Sequence, residues 1–436
     1  MKYKLLSYGC KVNTYDSGLL EKRLGSEGMS RSDDSPDVVV MNTCAVTHEA
    51  TKESIRHIRK LKKLHPNAKV VMTGCAAQVD SKMLLESDAD LIVANSHKTE
   101  IQTHIKSLLA GEPVERLYRS NIFKKEELEP GGGIESEHTR SFVKIQDGCN
   151  SFCTFCVIPF ARGKSRSLTI AAIVARMNEL SLAGVNEMVL TGVHIGDYID
   201  ESGASKLVLE DLVEQVLLKT TVPRIRLTSL EPIELSDRLL ELFKNNPRLC
   251  PHFHMSIQSA TTKTLTAMKR KYTSADVIKS MNDIKREIPN AFVGMDVIVG
   301  FPGETEVDFM DTYNCLAGLS WSQIHVFPYS PRPGIYANRL EGQMHRSEIM
   351  TRAKKLRALG NGRFKKLMKS QVGTVKEVLL LKKRSVVQSG LSSDYWNISF
   401  AEPLNKKPGE IVKVKVTAWE QGGLESEPGF LAGEMI

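Results

Sequence analysis

Three cysteines within one short loop constrain this chain more than any other feature. Residues 147–163 read DGCNSFCTFCVIPFARG, in which Cys149, Cys153 and Cys156 have the spacing Cys-x3-Cys-x2-Cys. Iron–sulfur clusters are normally held by cysteine thiolates, four for a complete [4Fe–4S] set, so three leave one iron open to an external ligand. A structural zinc site needs four protein ligands, and disulfide frameworks are typical of small secreted proteins, so both explain this loop less well. We therefore expect an iron–sulfur cluster here.

The first third of the chain alternates strand-like and helix-like patterns. Strands are predicted at residues 4–7, 37–41, 69–72 and 90–93, and helices at residues 15–24 and 47–64. Parallel neighbouring strands need a crossover connection, which is usually helical, so the alternation predicts a doubly wound parallel α/β domain. In such a sheet the strand C-termini share one edge, where ligands bind.

A cysteine follows each of three strands in this region. Cys10, Cys44 and Cys75 lie within three residues of the predicted strand ends. A single cysteine after a strand is most often a small buried hydrophobe. Three of them at equivalent positions of consecutive strand–helix units indicate that the thiols converge. We expect them to hold a second cluster, again with one open iron, that faces the first.

The middle of the chain continues the alternation. Six strand–helix units are predicted, with strands at residues 142–145, 187–193, 224–227, 253–257, 292–299 and 324–327. Six units fall short of the eight of a closed barrel, and their ligand is expected at the strand C-termini. Polar or glycine residues follow four of these strands, at residues 191–194, 229–232, 256–259 and 300–304.

Some polar residues of this region have two explanations each. They are two arginines after the cysteine loop and two histidines near strand ends: Arg162, Arg166, His194 and His325. The arginines are either substrate ligands or positive residues that lead into a helix. A lone histidine is more often a satisfied hydrogen-bonding residue than a ligand. Two further cysteines without matching partners, at positions 250 and 315, are expected to be core thiols.

From residue 368 the pattern changes to short strands. Those predicted at residues 374–381, 385–391, 397–400 and 411–418, with glycine and proline between them, indicate a small antiparallel β-barrel. Basic side chains lie on the preceding helix and in the barrel: Arg352, Lys354, Lys355, Arg363, Lys365, Lys366, Lys382, Lys383, Arg384, Lys406 and Lys407. They either track a phosphate backbone, with Tyr395, Trp396 or Phe400 stacking on bases, or are solvated lysines over an ordinary barrel core.

The chain is expected to contain three domains and a linker. Two features have linker composition, the charged run at residues 124–127 and the glycines at residues 131–133. The predicted boundaries are residues 1–118 for the first domain, 119–138 for the linker, 139–367 for the barrel domain and 368–434 for the C-terminal β domain.

Composition adds modest bounds on function. The 59 basic against 51 acidic side chains give a net charge of +8, a mild indication of a polyanionic partner. The N-terminus lacks the apolar segment of about 7–15 residues found in signal peptides, and no run of about 18 apolar residues suits a membrane span. We therefore expect a cytoplasmic protein without membrane contact, whose eight cysteines serve metal or redox chemistry rather than disulfides.

The motifs resemble known families. The cysteine loop and the apolar run before it resemble the radical S-adenosylmethionine enzymes. The segments GCKVN, NTCAVT and TGCAAQ around Cys10, Cys44 and Cys75 resemble the N-terminal domain of the methylthiotransferases. The C-terminal β domain resembles the OB-like TRAM domain, which binds RNA in that family. TGVHIG from Thr191 and FPYSPRPG from Phe327, together with the first two segments, are most similar to the branch called MtaB.

The resemblance implies a fold and a set of cofactors. It implies a partial (β/α)6 barrel, two [4Fe–4S] clusters with S-adenosylmethionine, and six cysteines that are both metal ligands and catalytic. It also implies cofactor contacts at the strand ends: Thr191, Gly192, Val193, Ser229, Glu231, Ser256, Gln258, Gly300, Phe301 and Pro302. The segment after the second strand would hold the methionyl amino group through its backbone, although Thr-Gly-Val replaces the family's Gly-Gly-Glu there. The ends of the fourth and fifth strands would contact ribose and adenine.

The MtaB branch converts N6-threonylcarbamoyladenosine, next to the anticodon of tRNA, to its 2-methylthio form. The implied chemistry uses one S-adenosylmethionine to methylate a sulfur on the Cys10 cluster. A second is cleaved by one electron at the Cys149 cluster, and its radical activates adenine C2. The implied partners are tRNA, an electron donor such as flavodoxin or ferredoxin, and a sulfur donor. The alternatives are a methylthiotransferase for isopentenyladenosine or a ribosomal-protein aspartate, and a non-catalytic iron–sulfur RNA-binding redox sensor.

Overall fold

The computed structural model describes residues 1–132, 138–382, 387–402, 404–422 and 429–436. Some residues of the sequence predictions lie outside these ranges: Gly133 of the linker, Lys383 and Arg384 of the basic set, and the first two residues of the strand at 385–391. Within the described ranges, no helix is both long enough and apolar enough to cross a bilayer.

The N-terminal domain is a six-stranded parallel sheet with helices on both faces. Its elements are β1 Lys2–Ser7, α1 Lys11–Ser26, β2 Ser30–Arg31, β3 Val38–Thr43, α2 His48–Leu64, β4 Lys69–Gly74, α3 Cys75–Val79, α4 Ser81–Leu85, β5 Leu91–Ala94, α5 Ile101–Leu109 and β6 Leu117–Tyr118. The strand order is β2-β1-β3-β4-β5-β6. Helices α1 and α5 pack on one face and α2, α3 and α4 on the other. The predicted doubly wound sheet is confirmed, and its order reverses between β1 and β3, which is where such sheets bind ligands.

The central domain is a barrel of six parallel strands. Its elements are β7 Ser141–Lys144, β8 Gln146–Asp147, α6 Ile158–Arg162, β9 Arg166–Ser167, α7 Ile170–Leu182, β10 Glu187–Thr191, α8 Leu209–Lys219, β11 Arg224–Leu227, α9 Asp237–Asn245, β12 His252–Gln258, α10 Thr262–Ala267, α11 Ser274–Glu287, β13 Phe292–Val299, α12 Glu306–Gly318 and β14 Gln323–Pro328. The short strands β8 and β9 pair with each other beside the barrel.

The barrel is open on one side. Its strands form two three-stranded sheets, β7-β10-β11 and β12-β13-β14, which short parallel bridges join between β11 and β12. Alternate residues of each strand pack outward against the helices in one large apolar core. The other residues form the inner face, and several of them remain accessible. The predicted partial (β/α)6 architecture is confirmed.

The C-terminal domain follows a long helix. Its elements are α13 Arg346–Lys369, β15 Val375–Leu380, β16 Gln388–Ser392, β17 Asn397–Phe400, β18 Ile411–Glu420 and β19 Phe430–Met435. The strands close in the order β15-β16-β17-β19-β18. Strand β19, which completes the barrel, was not predicted from the sequence, and it pairs with β17 in parallel rather than antiparallel.

The aromatic side chains predicted to stack on RNA bases are largely buried. Trp396 and Phe400 are 6% and 2% exposed and pack in the core of the β-barrel. Tyr395 stacks on His252 of the central barrel with ring centroids 3.7 Å apart. The prediction was wrong for Trp396 and Phe400, because they point to the domain core and the domain junction, which no local pattern reveals.

Two junctions hold the domains together. The ring of Tyr15 on α1 packs with Phe142 and Val189 of the central barrel, so α1 covers the open side. At the opposite end, the buried Arg226 guanidinium donates to the backbone carbonyl oxygens of Ser392 and Ser393, at 2.8 and 2.9 Å. The inner face of the central barrel is therefore bounded by both neighbouring domains.

Candidate active site

The three N-terminal cysteines lie at the sheet edge next to the strand-order reversal. Cys10 precedes α1, Cys44 follows β3, and Cys75 is the first residue of α3. Their thiols are close enough to influence one another electrostatically. Cys10 is exposed, Cys44 is half-buried and Cys75 is buried, so the set opens to one side. The structure brings these three predicted ligands together.

Glycines permit this approach. A Cβ at Gly9, whose φ is +99°, would lie 2.7 Å from Cys44 Cβ and 2.8 Å from its Sγ. A Cβ at Gly74, whose φ is +96°, would lie 2.4 Å from the carbonyl oxygen of Thr43. Left-handed φ and these short distances together leave no room for a side chain beside Cys10 or Cys75.

The environment of this set suits a thiolate-bound anionic cluster. Burial raises the pKa of Cys44 to about 11, although the backbone N–H of Val46 donates to its sulfur over 3.5 Å and opposes that rise. Burial also raises the pKa of Cys75, and the Arg162 guanidinium opposes this. Metal coordination requires deprotonated thiols, and a positive side chain and N–H donors stabilise them.

The second cysteine set lies in the loop after β8. The backbone N–H of Cys149 donates to the carbonyl oxygen of Gly163 at 3.1 Å, which closes the loop. The backbone N–H of Ser151 donates to the sulfur of Cys149, and that of Ile158 donates to the sulfur of Cys156, both at 3.4 Å. These contacts orient the sulfurs of Cys149 and Cys156, and the three thiols of the loop are close enough to influence one another electrostatically.

The pKa values of this set differ with their neighbours. Burial raises the pKa of Cys156 to about 12 and also raises that of Cys153. Burial opposes ionisation of Cys149 too, but hydrogen bonding to His194 and Ser151 lowers its pKa. The positive charge of Arg270 acts on Cys153 and Cys156, and its side chain pairs with Glu231. The residues present therefore fit an anionic cluster at both sets.

Arg162 lies between the two cysteine sets. It is 3% exposed, pairs with Asp147 at 2.9 Å and with Asp16 at 3.2 Å, and acts electrostatically on Cys10 and Cys75. Burial disfavours the charged form of Arg162. The negative charges of Asp147, Asp16 and the thiolates of Cys75 and Cys10 nevertheless raise its pKa. Arg162 is thus neither a surface residue nor free for substrate, and it joins α1 to the cluster loop. Arg166 donates to the carbonyl oxygens of its neighbours instead.

The side chain of Asn95 connects Cys75 to the helix that follows the second cysteine set. The Asn95 amide donates to the carbonyl oxygen of Ala161 at 2.9 Å and approaches Cys75 Sγ at 3.8 Å. Ala161 lies in α6, which follows Cys156 and packs against α3. The structure therefore places both sets along one junction between the first two domains.

The predicted cofactor contacts after β10 are arranged around Gln146. Its Oε1 accepts from the backbone N–H groups of Val193 and His194 at 3.0 and 2.9 Å. No described residue donates to the carbonyl oxygens of Gly192 and Val193. Gly192 is buried and Val193 is half-buried. Thr191 is buried as well, and its carbonyl oxygen accepts from the backbone N–H of Ile145.

Strained residues mark the next two strand ends. Ser229 and Gln258 have φ of +44° and +58°, in the left-handed region that non-glycine residues seldom adopt. Such strain tends to collect at functional sites. Ser256 lies near the end of β12, and its carbonyl oxygen accepts a hydrogen bond from the Tyr272 hydroxyl at 2.7 Å.

The segment after β13 supports the cluster loop. The ring of Phe301 is fully buried and lies edge-on to Phe155 of the loop, with centroids 6.4 Å apart. Gly300 has φ of +73°, and a Cβ there would lie 2.5 Å from Ile349 of α13. Phe301 therefore supports the loop with its side chain, and Pro302 beside it is also buried.

His194 has partners on both ring nitrogens. Its Nδ1 lies 3.8 Å from Cys149 Sγ and 3.1 Å from Asp197, and its Nε2 bonds Glu234. Burial disfavours its charged form, but these hydrogen bonds raise its pKa strongly. His194 is therefore a satisfied hydrogen-bonding residue, and its place beside the cluster loop depends on the tertiary structure.

Two residues of the inner face that were not singled out from the sequence, His254 and Asp296, form a polar group with His325. His254 Nε2 and Asp296 Oδ2 are 3.0 Å apart, and His325 faces them from the next strand. The side chain of Lys11, in the first turn of α1, acts electrostatically on Asp296 and His325. Period-two alternation along β12, β13 and β14 assigns the three strand residues to one face; the position of Lys11 needs the domain junction.

The remaining cysteines are not part of either set. Cys250 is buried in the core, and burial raises its pKa to about 11. Cys315 is half-buried in α12, at the edge of the large apolar core. Their prediction as core thiols fits this placement.

Comparison with known proteins matches residues 143–316 to the Radical SAM superfamily and residues 2–94 to a family described as "Uncharacterized protein family UPF0004". The chain is 33% identical to a "Threonylcarbamoyladenosine tRNA methylthiotransferase MtaB" of Aquifex aeolicus, over 95% of this chain and 100% of the relative. It is 29% identical to a "tRNA-2-methylthio-N(6)-dimethylallyladenosine synthase" of Desulfotalea psychrophila, over 96% of both chains.

A solved structure has a similar fold. The radical S-adenosylmethionine methyltransferase TsrM of Kitasatospora setae superposes with a TM-score of 0.55 at 16% identity, over 76% of this chain and 74% of that chain. At this identity the likeness concerns the fold rather than the reaction.

Proposed function

This chain belongs to the methylthiotransferase family of radical S-adenosylmethionine enzymes that modify tRNA, and from that premise we propose that it methylthiolates C2 of N6-threonylcarbamoyladenosine next to the anticodon. The relative named for that substrate matches at 33% identity over its whole length. A family member is an enzyme, which sets aside the non-catalytic redox sensor considered from the sequence. The proposal includes two [4Fe–4S] clusters and two S-adenosylmethionine molecules per turnover.

The observation that carries the proposal is the pairing of two three-cysteine sets along one junction. Arg162 lies between them, bonded to Asp147 before one set and acting on Cys10 and Cys75 of the other. A single cluster would not require the second set, its glycines and its N–H donors. Two open clusters that share one chamber suit a reaction that needs both a radical and a sulfur donor.

When bound, the clusters and S-adenosylmethionine supply a 5′-deoxyadenosyl radical and a methylthio group. The chain positions and shields this chemistry. We propose that the carbonyl oxygens of Gly192 and Val193 accept from the methionyl amino group, and that the strained Ser229 and Gln258 border the nucleoside. Helix α1 covers the open side of the barrel and limits the access of water to the radical.

The RNA is proposed to reach this chamber from the C-terminal barrel. Two of the basic residues predicted to contact phosphates have partners within the protein. Arg352 pairs with Glu304 at 2.9 Å, and the Arg363 guanidinium lies 4.2 Å from the Trp321 ring centroid. Lys413 and Lys415 on β18 are exposed, and they are stronger candidates for phosphate contacts. A flavodoxin or ferredoxin as reductant and a separate sulfur donor complete the proposed partners in the cytoplasm.

Nucleoside mass spectrometry tests the substrate. The chain is expressed in a host that lacks its own methylthiotransferases, and the tRNA nucleosides are compared with those of the empty host. We expect 2-methylthio-N6-threonylcarbamoyladenosine. Appearance of the 2-methylthio-isopentenyl nucleoside instead would support the second candidate, which the Desulfotalea psychrophila relative represents.

Cluster content and separate roles are tested together. Anaerobic reconstitution is expected to give about eight irons per chain, and about four would remove the second cluster from the proposal. Replacing Cys10→Ala is expected to keep 5′-deoxyadenosine formation with dithionite while methylthiolation is lost. Loss of both activities would contradict separate roles for the two cysteine sets.

A further inference from the structure

Lys11 carries a positive charge into the central barrel without an ion-pair or hydrogen-bond partner in the described part of the chain. It lies in the first turn of α1, where that helix covers the open side. The titratable groups that act on it most strongly are Tyr395, Arg140, Asp296 and Arg226. Two of these neighbours are cations, so the chain itself offers little compensation.

The carboxylates of the inner face are already bonded to other residues. Asp296 lies 3.0 Å from Nε2 of His254. Glu187 is shared by three guanidinium groups, those of Arg140, Arg224 and Arg226. An enclosed cation without a counter-ion is costly, and an incoming anion relieves that cost. Lys11 is therefore arranged for an anionic ligand.

His325 offers a second contact at the same depth. In the parallel register of β13 and β14, His325 lies opposite Asp296. Its side chain is exposed on the inner face of the barrel, and the charge of Lys11 acts on it. Burial lowers the pKa of His325, and the neighbouring positive charges act in the same direction while Asp296 opposes them. A neutral imidazole still donates one N–H.

A bound divalent cation is the competing explanation. The ligand atoms of His254, Asp296 and His325 lie within 4.8 Å of one another, and two imidazoles with one carboxylate suit a transition metal. However, Lys11 acts electrostatically on Asp296 and His325, and its positive charge disfavours a second cation at this group. The uncompensated Lys11 favours an anion.

We propose that Lys11 binds the carboxylate of the threonylcarbamoyl group on the substrate adenine, with His325 donating a second hydrogen bond to it. The inference rests on the function proposed above and deepens it. An isopentenyl group has no anion to offer, so this contact distinguishes the two substrate classes of the family. The phosphate backbone is the less suitable anion, because it is attached through the ribose on the side of the adenine opposite to N6.

Binding of anticodon stem-loop RNA tests the proposal without turnover. Two RNAs are compared on the full-length protein under anaerobic conditions, one with N6-threonylcarbamoyladenosine and one with its methyl ester, which removes the negative charge. The wild-type chain is expected to bind the ester about 10- to 100-fold more weakly, as for loss of a hydrogen bond to a charged group. Lys11→Met is expected to bind the acid-containing RNA more weakly by a similar factor. The ratio of its affinities for the two RNAs then approaches one.

Matched variants separate binding from structure. Lys22→Met, an exposed lysine on the same helix, is expected to behave as wild type, and Lys11→Arg is expected to keep most of the acid-over-ester preference. Iron content and 5′-deoxyadenosine formation are measured for each variant, because Lys11 neighbours Cys10. The ester comparison on the wild-type chain needs no variant and remains decisive if Lys11→Met does not fold.

The outcomes distinguish this inference from the proposed function. If the wild-type chain forms the methylthio product but binds acid and ester equally, the inference fails and the function stands. The inference also fails if Lys11→Met loses affinity equally for both RNAs. It fails likewise if the chain shows no preference for the acid and instead binds zinc or ferrous iron tightly at a site that His254→Gln abolishes. Absence of the threonylcarbamoyl product altogether rejects the proposed function itself.

Discussion

Gly9 has no side chain because none fits beside Cys44. A methyl group would lie 2.7 Å from Cys44 Cβ, and the φ of +99° is itself unfavourable for any other residue. The loop that carries Cys10 therefore cannot accept even alanine without moving. Since the neighbouring thiols define the set, a shift of this loop alters the cluster site and little else.

Replacing Gly9→Ala is expected to separate the two cysteine sets functionally. Iron after reconstitution should fall from about eight to about four per chain, because the Cys10 loop is displaced while the Cys149 loop is unchanged. Methylthiolation should fall about a hundredfold or more, as for small misplacements of reacting groups. Formation of 5′-deoxyadenosine with dithionite should remain.

Gly25→Ala is the matched control, because nothing lies within 4 Å of a Cβ at that position on α1. It should match wild type in iron content and in product formation. Wild-type iron content in Gly9→Ala would show that the loop tolerates a side chain, contrary to the geometry.

Helix α1 is the element that joins the domains. Asp16 on its inward side contacts Lys144 at 2.6 Å, Lys98 at 3.1 Å and Arg162 at 3.2 Å, all of them buried. Burial opposes ionisation of Asp16, but Lys144, Lys98 and Arg162 hold its pKa well below its usual value. Burial lowers the pKa of Lys98 despite Asp16, whereas Asp147 and Asp16 outweigh burial at Lys144 and Arg162 and raise the pKa of both.

Asp16→Asn is expected to lower the free energy of unfolding by about 3–5 kcal/mol near pH 7, because three buried cations lose their shared partner. The folded state of the wild type binds the Asp16 proton more weakly than the unfolded chain does. Its contribution is therefore complete above about pH 4 and is lost as the pH falls further. Urea-unfolding midpoints from pH 3 to pH 7 should fall less steeply at the acid end in the variant than in wild type.

Asp33→Asn serves as control, since Asp33 is exposed and lies 3.9 Å from Lys4 in a surface pair. Its unfolding midpoint should stay close to wild type across the same range. A parallel acid dependence in wild type and Asp16→Asn would mean that Asp16 does not contribute through its charge.

At the scale of the whole molecule, the C-terminal barrel both closes the central barrel and presents a basic surface. Two of its aromatic residues lie at the junction with the central barrel, with Tyr395 against His252 and Trp396 near Phe292. Lys365 and Lys369 of α13 lie 4.9 and 4.4 Å from the Trp419 ring centroid, next to β18. The outward lysines are therefore the part of this domain available to a polyanion.

Replacing Lys413 and Lys415 together with alanine is expected to weaken tRNA binding and to reduce its salt dependence. Two lost phosphate contacts lower the slope of log K against log salt by about 1.5–2. Formation of 5′-deoxyadenosine without RNA should be unchanged, because the cysteine sets lie in the other domains. Fluorescence titration at several salt concentrations gives the slope.

Lys219 and Lys279, on helices of the central barrel's outer layer, provide the control pair. Their double replacement should leave both the affinity and the slope close to wild type. An unchanged slope for the β18 variant would place the RNA on another face.

Much of the architecture follows from the sequence alone. Period-two and period-3.6 patterns located the main strands and helices of the first two domains, and the cysteine spacing indicated the thiols that the structure brings together at Cys10, Cys44 and Cys75. The short edge strands β2 and β6 and the closing strand β19 were missed, because two to six residues with mixed polarity leave little periodic signal.

The sequence by itself determined which segments form strands and helices and where thiols follow strand ends, since these depend on the order of neighbouring residues. Only the tertiary structure decided that Arg162 pairs with Asp16, 146 positions away, that Trp396 is buried, and that Lys11 faces the interior of another domain. Such contacts arise when domains dock, and burial and charge pairing across a junction select them. No local repeat of side chains records which distant groups will meet.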